Sequence, residues 1–430
     1  MDSKSLLEDL VSMTHPHDFS HRRTELARAC PGHSFLLTTD QRHLRYLTGI
    51  SRAAAIEAVL WLGSDGREVL YLPTPDPHRI KWDGPMLTAE QATALSGIAD
   101  IRPTDQLTVE LPELLRGVRA LGYRLGGRLD DVVLQALERA SRIAAAGHRS
   151  SRVAASLHDP RGPIGRLRVI KDGAEQEALR EAATLTAAAH LQLMKTAIPG
   201  ETGRGLRGRF EATLAAGGAE AVAYESIVAV GTEATCLHAR PTSATLAADA
   251  AVLVDAGAQV GGYASDLTRS WPVGARFSPS HATLYDIVLE AQLAALARCR
   301  SGATLASVHA AAMAVLEEGQ TKLGLPGPVG RWAPHHTSHW IGLDVHDAGP
   351  YEDDLGEATT LAPGMVFTVE PGLYADADAD DAPESLRGLG VRIEDVVLIA
   401  ADGSAEVLTA AAPKDRDAIE ALREAALVSG

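Results

Sequence analysis

Two carboxylates stand eleven residues apart in VLVDAGAQVGGYASDLTRSW, at Asp255 and Asp266. A hairpin whose turn is centred on Val260–Gly261 sets them directly opposite each other, with Cβ atoms ~5 Å apart. Apposed carboxylates repel unless a cation or a proton sits between them, although a solvated pair at a strand end is the plain alternative. Glu370 ends the apolar run MVFTVE immediately before Pro371-Gly372. In VRIEDVV, Arg392 and Glu394 are two apart and share a strand face. A surface ion pair explains those two as well, but an unpaired carboxylate within a near-continuous apolar strand is costly. His339 adds an imidazole, and a mixed nitrogen and oxygen donor set suits a divalent first-row metal. Four carboxylates and one histidine suffice for two cations with room for water. Two ions ~3.5–4 Å apart activate water and polarise a carbonyl together.

The elements that must position these groups read as α+β. Helical spacing runs from Ala174 to Lys195, with Leu179, Ala182, Ala183, Thr186 and Ala189 recurring at threes and fours. A second helix opens on Ser278-Pro279, a good cap and first-turn pair, and ends before Gly302; a third follows Thr304 to about Glu318. Between them lie strand runs: SIVAVG, AAVLVDAG with YASDLTRSW, MVFTVEPG, and VRIEDVVLIA with AEVLT. Residues 20–160 form a smaller mixed part, with strands around Phe35–Thr38 and Val59–Leu72 and helices in LPELLRGVRALG and DDVVLQALERASRIAAAG. The basic, Pro- and Gly-rich stretch DPRGPIGRLRVIKDG, residues 159–173, reads as the link between the two parts.

Three motif matches are set aside. Gly203-Arg-Gly205-Leu-Arg-Gly208 fits GxGxxG but follows a helix and Pro199, whereas dinucleotide binding needs strand, turn and helix in that order. The acidic run 375–388 imitates a calcium loop, yet Asp381 stands where the turn glycine belongs and Arg387 where the bidentate glutamate belongs. HHTSH, residues 335–339, has two histidines four apart without the glutamate of a zinc-protease helix.

Composition narrows the function further. The chain has 430 residues, 46% hydrophobic and 22% charged, so a disordered or fibrous protein is excluded. Its formal charge of −16 leaves no basic footprint for nucleic acid and repels an anionic membrane surface. The three cysteines, Cys30, Cys236 and Cys299, are far apart and supply neither a disulfide framework nor a zinc ribbon. The first twenty residues lack a basic segment followed by an apolar one, and no run of eighteen apolar residues occurs. A cytoplasmic location is the expectation.

IVAVGTEATCLHARP, LVDAGAQVGGYASDLTRSWPV, HHTSHWIGLDVHDAG, FTVEPGLY and GVRIEDVV, taken in order, resemble the proline-specific metallopeptidases of the pita-bread fold, and within them the Xaa-Pro aminopeptidases. The resemblance covers residues 166–430 strongly. It implies a C-terminal pita-bread domain, creatinase- and aminopeptidase-like, at 166–430, preceded by a smaller mixed α/β domain at 1–162. It makes Asp255, Asp266, His339, Glu370 and Glu394 the ligands of two divalent ions, most often Mn²⁺ with Co²⁺ or Zn²⁺ as alternatives, with Asp266 and Glu394 bridging. It places His238 and His346 on the substrate around the scissile bond, His335 in the pocket for the residue after the cut, and Arg392 in support of Glu394. His336 stands where the family commonly has glycine, and reads as an exposed or packing residue. The implied reaction is hydrolysis of the first X–Pro bond by a metal-bridging hydroxide, with Glu370 carrying the proton to the leaving nitrogen. The partners implied are peptides with proline second and another copy of the chain, in a dimer. RHLRYLTGIS and KWDGPM resemble first-domain stretches of the same family, the first shared with prolidases. A prolidase cutting only dipeptides, a metal-free creatinase-like C–N hydrolase and a non-catalytic binding module are the alternatives.

Overall fold

Short apolar runs punctuated by Gly and Asp build one six-stranded sheet in the first part of the chain. The computed structural model describes residues 18–38, 42–51, 55, 57–147, 156–353 and 355–429; the leader reading of the first twenty residues falls almost wholly outside them. The chain divides into two units, one ending at Arg168 and one beginning at Val169.

The first unit runs α1 (Phe19–Ala29), β1 (His33–Thr38), α2 (Arg42–Thr48), β2 (Val59–Leu62), β3 (Glu68–Leu72), α3 (Pro77–Asp83), α4 (Ala89–Ser96), β4 (Ile101–Pro103), α5 (Leu107–Leu114), β5 (Ala120–Gly122), α6 (Asp130–Gly147), β6 (Ser156–His158) and α7 (Arg161–Arg168). Its strand order is β4-β3-β2-β1-β5-β6. The β1–β2 and β2–β3 pairs are antiparallel and the other three parallel. Trp61, Tyr71, Leu111, Leu121 and Val133 fill the core on one side. Two expectations change here. The helix expected through LPELLRGVRALG stops at Leu114, because Gly117 takes a left-handed φ of 79° and Ala120–Gly122 pairs as a strand. The stretch at 159–173 is not open linker. The Asp159 carboxylate accepts from the Arg161 N–H at 2.9 Å and starts α7, whose Ile164 and Arg168 are buried.

The second unit runs α8 (Gly173–Thr196), α9 (Gly203–Ala216), β7 (Ala221–Val222), β8 (Ile227–Val230), β9 (Ala251–Asp255), β10 (Ala258–Val260), β11 (Tyr263–Ala264), β12 (Thr268–Pro272), α10 (Pro279–Leu296), α11 (Leu305–Leu323), β13 (Val366–Val369), β14 (Gly372–Ala375), β15 (Leu389–Arg392), β16 (Asp395–Ile399), β17 (Ala405–Val407) and α12 (Arg416–Ser429). The helices start where side chains satisfy their first N–H groups. Asp172 and Glu175 form a capping box on α8, Ser278 with Pro279 opens α10, and Thr304 caps α11. Leu179, Ala182, Ala183, Thr186 and Ala189, the stripe read from the sequence, are all buried along α8. α11 continues past the expected Glu318 to Leu323, where Gly324 closes it in a left-handed conformation. The GxGxxG run opens α9 beneath its Thr202 cap, and no strand leads into it. Trp271, Trp332, Trp340, Tyr285 and Phe367 anchor the main core of this unit. Among the described residues, no helix is long and apolar enough to cross a membrane.

Two antiparallel ladders carry the chemistry. In the first, β9–β12 and β10–β11 share one register, with Asp255 opposite Thr268 and Val260 opposite Tyr263. The expected pairing of Asp255 with Asp266 is therefore displaced by two residues. Gly261 and Gly262, at φ 55° and 80°, make a two-residue turn with both central residues in the left-handed region. That turn matches strand twist better than one centred on Val260–Gly261. A shift of two keeps both aspartates on one face, now diagonally related. Gly257 stands across from Asp266 in this register, where an added Cβ would lie 1.8 Å from the Ser265 carbonyl oxygen.

In the second ladder VRIEDVV is not one strand. Arg392 ends β15 against β14 and Asp395 begins β16 against β13, with Ile393 and Glu394 between. Pro371, which lacks an N–H, interrupts the opposite side, and its carbonyl accepts from Ile393 at 3.3 Å. Val369 pairs with Asp395 and Gly372 with Arg392, so the shared register sets Glu370 across from Glu394 at the interruption.

Gly257→Ala is expected to lower stability by about 3 kcal/mol, the cost of overpacking against backbone that cannot yield. Chemical denaturation checks it; an unchanged midpoint would refute the close approach.

Candidate metal centre

The two ladders bring their carboxylates to one cleft, and a third segment adds the imidazole. Residues 337–340 run along the free edge of β13. The Thr368 N–H donates to the His339 carbonyl at 2.9 Å, the Glu370 N–H to that of Thr337 at 2.9 Å, and Trp340 bridges to Phe367. The Thr368 hydroxyl accepts from the His339 N–H at 3.1 Å and donates to Glu370 at 3.3 Å. Glu394 is tied to the first ladder twice, through its N–H to the Thr268 carbonyl at 3.1 Å and through the Thr268 hydroxyl to its carboxylate at 2.8 Å.

Asp255, Asp266, His339, Glu370 and Glu394 all line one cleft of about 1150 Å³, together with His238, His335, His346 and Arg392. Asp266, His339 and Glu394 each offer a ligand atom within 4.8 Å of the other two. Glu370 lies 3.4 Å from the His339 Nε2. Asp255 joins the group through Tyr224, whose hydroxyl contacts Asp255 at 2.5 Å and also Asp266. The Arg392 guanidinium reaches Asp255 at 2.6 Å, Tyr374 Oη at 3.0 Å and the Thr268 hydroxyl at 3.1 Å.

Electrostatics follow from burial. Burial pushes Glu370 up to about 7 against the pull of His339, and pushes Glu394 well above its ordinary value, with the charges of Asp266, Glu370 and Asp255 adding to it. Burial raises Asp255 too, opposed by Arg392. Burial alone would depress the His339 imidazole, but its hydrogen bond to Asp266 and the charges of Glu370 and Asp266 prevail and hold it up at about 9. Four carboxylates thus face one guanidinium and one imidazole with little solvent between them. The donor types and the excess negative charge fit divalent cations.

The substrate-side imidazoles differ from His339. Burial pushes His335 down to about 4. Its Nδ1 lies 2.9 Å from the His336 carbonyl and its Nε2 2.9 Å from Tyr374 Oη. A neutral ring donating at Nδ1 and accepting at Nε2 completes a chain from Arg392 through Tyr374 to His335. Burial also lowers His346, followed by the charge of His339, whose ring centroid is 4.2 Å away. His336 is exposed and packs obliquely on His309, 5.4 Å between centroids.

Sequence reasoning missed Tyr224, Thr268, Thr368 and Tyr374. Thr268, Thr368 and Tyr374 lie inside the quoted motifs, but their hydroxyls gain meaning only from partners in other segments. Tyr224 stands ahead of the SIVAVG run and carries no local signal.

The comparisons with known proteins agree with this geometry. Residues 177–401 match metallopeptidase family M24 and residues 39–121 the aminopeptidase P N-terminal domain. The chain belongs to the M24 metallopeptidases, and its α+β catalytic unit has their pita-bread fold behind a mixed α/β unit. It is 34% identical over 396 residues to the Xaa-Pro aminopeptidase of Escherichia coli, covering 89% of this chain and 88% of that one. With human Xaa-Pro aminopeptidase 3 it shares 33% over 370 residues, 82% of this chain and 70% of the relative. The solved structure of Pseudomonas aeruginosa aminopeptidase PepP superposes with a TM-score of 0.87 at 32% identity, covering 95% and 98% of the two chains.

Metal affinity is expected to rise with pH. Glu370 at about 7, Glu394 above its ordinary range and His339 at about 9 must all lose protons to bind a cation. Binding therefore releases protons, and acid competes with metal. Calorimetric titration of the metal-free protein with Mn²⁺ is expected to show affinity at least roughly tenfold lower at pH 6 than at pH 8; equal affinities would contradict these assignments.

Proposed function

We infer that the chain is an Xaa-Pro aminopeptidase, a metallopeptidase that hydrolyses the bond between the first residue of a peptide and a proline in second position. The observation that carries the reading is the convergence of five nitrogen and oxygen donors in the cleft that also holds His238, His335 and His346. Asp255, Asp266, His339, Glu370 and Glu394 are assigned to two divalent ions, with Mn²⁺ the first choice and Co²⁺ or Zn²⁺ the alternatives, and Asp266 and Glu394 shared. When bound, the metal supplies Lewis acidity, lowering the pKa of water and polarising the scissile carbonyl.

The chain's own groups do the rest. Glu370, with a carboxyl near neutrality at about 7, is suited to take a proton from the attacking water and release it to the departing proline nitrogen. His238 and His346 donate to the carbonyl oxygen as charge develops there. His335, kept neutral and oriented by Tyr374, walls the proline ring. Arg392 holds Asp255 and Tyr374 in place. Proline offers no N–H and a fixed φ, so a site that binds a ring and asks for no amide hydrogen selects it over ordinary residues.

The catalytic work is assigned to residues 166–430 and a separate domain to residues 1–162. A homodimer follows from the family resemblance. A cytoplasmic location is supported by the three free thiols, Cys30, Cys236 and Cys299.

With Mn²⁺ supplied, alanine release from Ala-Pro-Ala is expected, and Asp266→Ala is expected to lose at least about a thousandfold in kcat/KM, the scale of losing several kcal/mol of charge stabilisation. Cleavage of Ala-Pro but not the tripeptide would make the enzyme a dipeptidase, and no release from either by the metal-loaded protein would end the reading.

A further inference from the structure

We propose that Arg240 is a subsite for a carboxylate of the peptide substrate, in the first instance the C-terminal carboxylate of a short leaving peptide. The proposal rests on the peptidase reading of the cleft and adds a preference to it.

The cleft is acidic beyond its metal ligands. Glu225 and Glu352 line it with Asp255, Asp266, Glu370 and Glu394, against two arginines. Arg392 is committed to Asp255, Tyr374 and Thr268. Arg240 is exposed, and its guanidinium makes no hydrogen bond or ion pair among the described residues. It is the one cation of the lining, among those residues, that the protein leaves unpaired. Arg240, held by none of the six carboxylates of the lining among the described residues, is left open to an anion brought from outside.

Its position is set by the strap that carries it. Burial alternates along the strap: His238 is exposed, Ala239 buried, Arg240 exposed and Pro241 buried. Ala239 packs with Ile227, Ala234 and Leu253. The Arg204 guanidinium donates to the Pro241 carbonyl at 3.4 Å, and the Arg204 N–H to that of Thr242 at 3.0 Å. Ala239 and Pro241 thus fix the strap from behind, and His238 and Arg240 face the cleft. A turn closed by the Ala239 N–H on the Cys236 carbonyl at 3.2 Å sets His238 at the head of the strap, and Arg240 follows two residues on, in the same cleft wall as the imidazole assigned to the scissile bond.

The substrate supplies the matching charge. A tripeptide X-Pro-Y ends in a carboxylate a few ångströms beyond the cut. Glu225 and Glu352, the two carboxylates of the lining outside the metal ligand set, and a net charge of −16 repel it unless a cation receives it. A guanidinium binds a carboxylate through two parallel hydrogen bonds. The same fork could take the side-chain carboxylate of an acidic first residue, and the two sources separate in kinetics.

The test compares Ala-Pro-Ala, its C-terminal amide and Glu-Pro-Ala amide in the wild-type, Arg240→Gln and Arg240→Lys enzymes. Wild type is expected to prefer the free acid to the amide by roughly tenfold in kcat/KM, mainly through KM, the scale of one charge-assisted hydrogen-bonded pair. Arg240→Gln is expected to erase that preference while changing turnover of Ala-Pro-Ala amide less than twofold, and Arg240→Lys to keep part of it. Loss confined to Glu-Pro-Ala amide also supports a carboxylate subsite and moves its ligand to the first residue. Equal loss on all three peptides, or no loss on any, overturns the proposal while leaving the peptidase reading intact. A wild-type enzyme that cleaves none of them fails the peptidase reading itself.

Discussion

Like charges crowded out of water govern this molecule. Two unit charges 4 Å apart repel by about 4 kcal/mol at an effective dielectric near 20, and the cleft gathers four carboxylates in partial or full burial. Each is met by a donor fixed elsewhere in the fold. Arg392 and Tyr224 hold Asp255, Tyr224 also holds Asp266, the hydroxyls of Thr268 and Thr368 hold Glu394 and Glu370, and His339 lies against Asp266 and Glu370. These contacts orient the oxygens without neutralising them. The charge that is left over is the driving force for cation binding, and it explains why burial lifts Glu370 and Glu394 so far.

A scaffold that keeps such a group together has to be stiff behind it. Arg269, fully buried, donates to the carbonyls of Thr268 at 3.0 Å, Glu394 at 2.5 Å and Ala412 at 2.9 Å, and pairs with Asp395 at 2.7 Å. Lys414 and Gln292 complete the shell of Asp395 at 2.6 Å each, and these partners hold its carboxyl far below the usual range despite burial. This hydrogen-bonded cluster lies directly beneath the strand joint where Glu394 leaves β15 for β16. Removing one member of such a cluster costs far more than the pair is worth, because its partner is left charged and dry. Arg423 plays the same part further back, donating to the carbonyls of Ala197 at 2.7 Å and Pro272 at 3.1 Å and so joining α12 to α8 and β12.

Both ladders are broken at the site, and the breaks are what free the ligands. Glu370 and Glu394 occupy the one point where the β13–β14 and β15–β16 runs change partners, so their side chains are not confined by a regular pleat. Asp266 lies where the β9–β12 hairpin passes Gly257 at close quarters. The chain from Arg392 through Tyr374 to His335 then connects the charged floor to the wall assigned to proline. Arg392 and Tyr374 thereby join the Asp255 carboxylate to the His335 imidazole through side chains.

Much of this was legible residue by residue. The stripe on α8, the caps at Ser278 and Thr304, the donor types at Asp255, Asp266, His339, Glu370 and Glu394, and the order of the five motifs depend on local spacing and chemistry, which a linear reading can follow. The glycine pair 261–262 was a local signal too, and a turn placed on it would have given the right register. The rest was not local. That Glu370 faces Glu394 depends on pairing across the intervening residues 371–393, and that Arg168 closes a helix instead of a linker depends on its burial. The roles of Tyr224, Thr268 and Tyr374 exist only because distant strands end beside one another. Side-chain identity and periodicity determined which groups were available and the face each would take. Only the tertiary structure decided which of them meet, because long-range register and the burial that shifts a proton are properties of the folded chain.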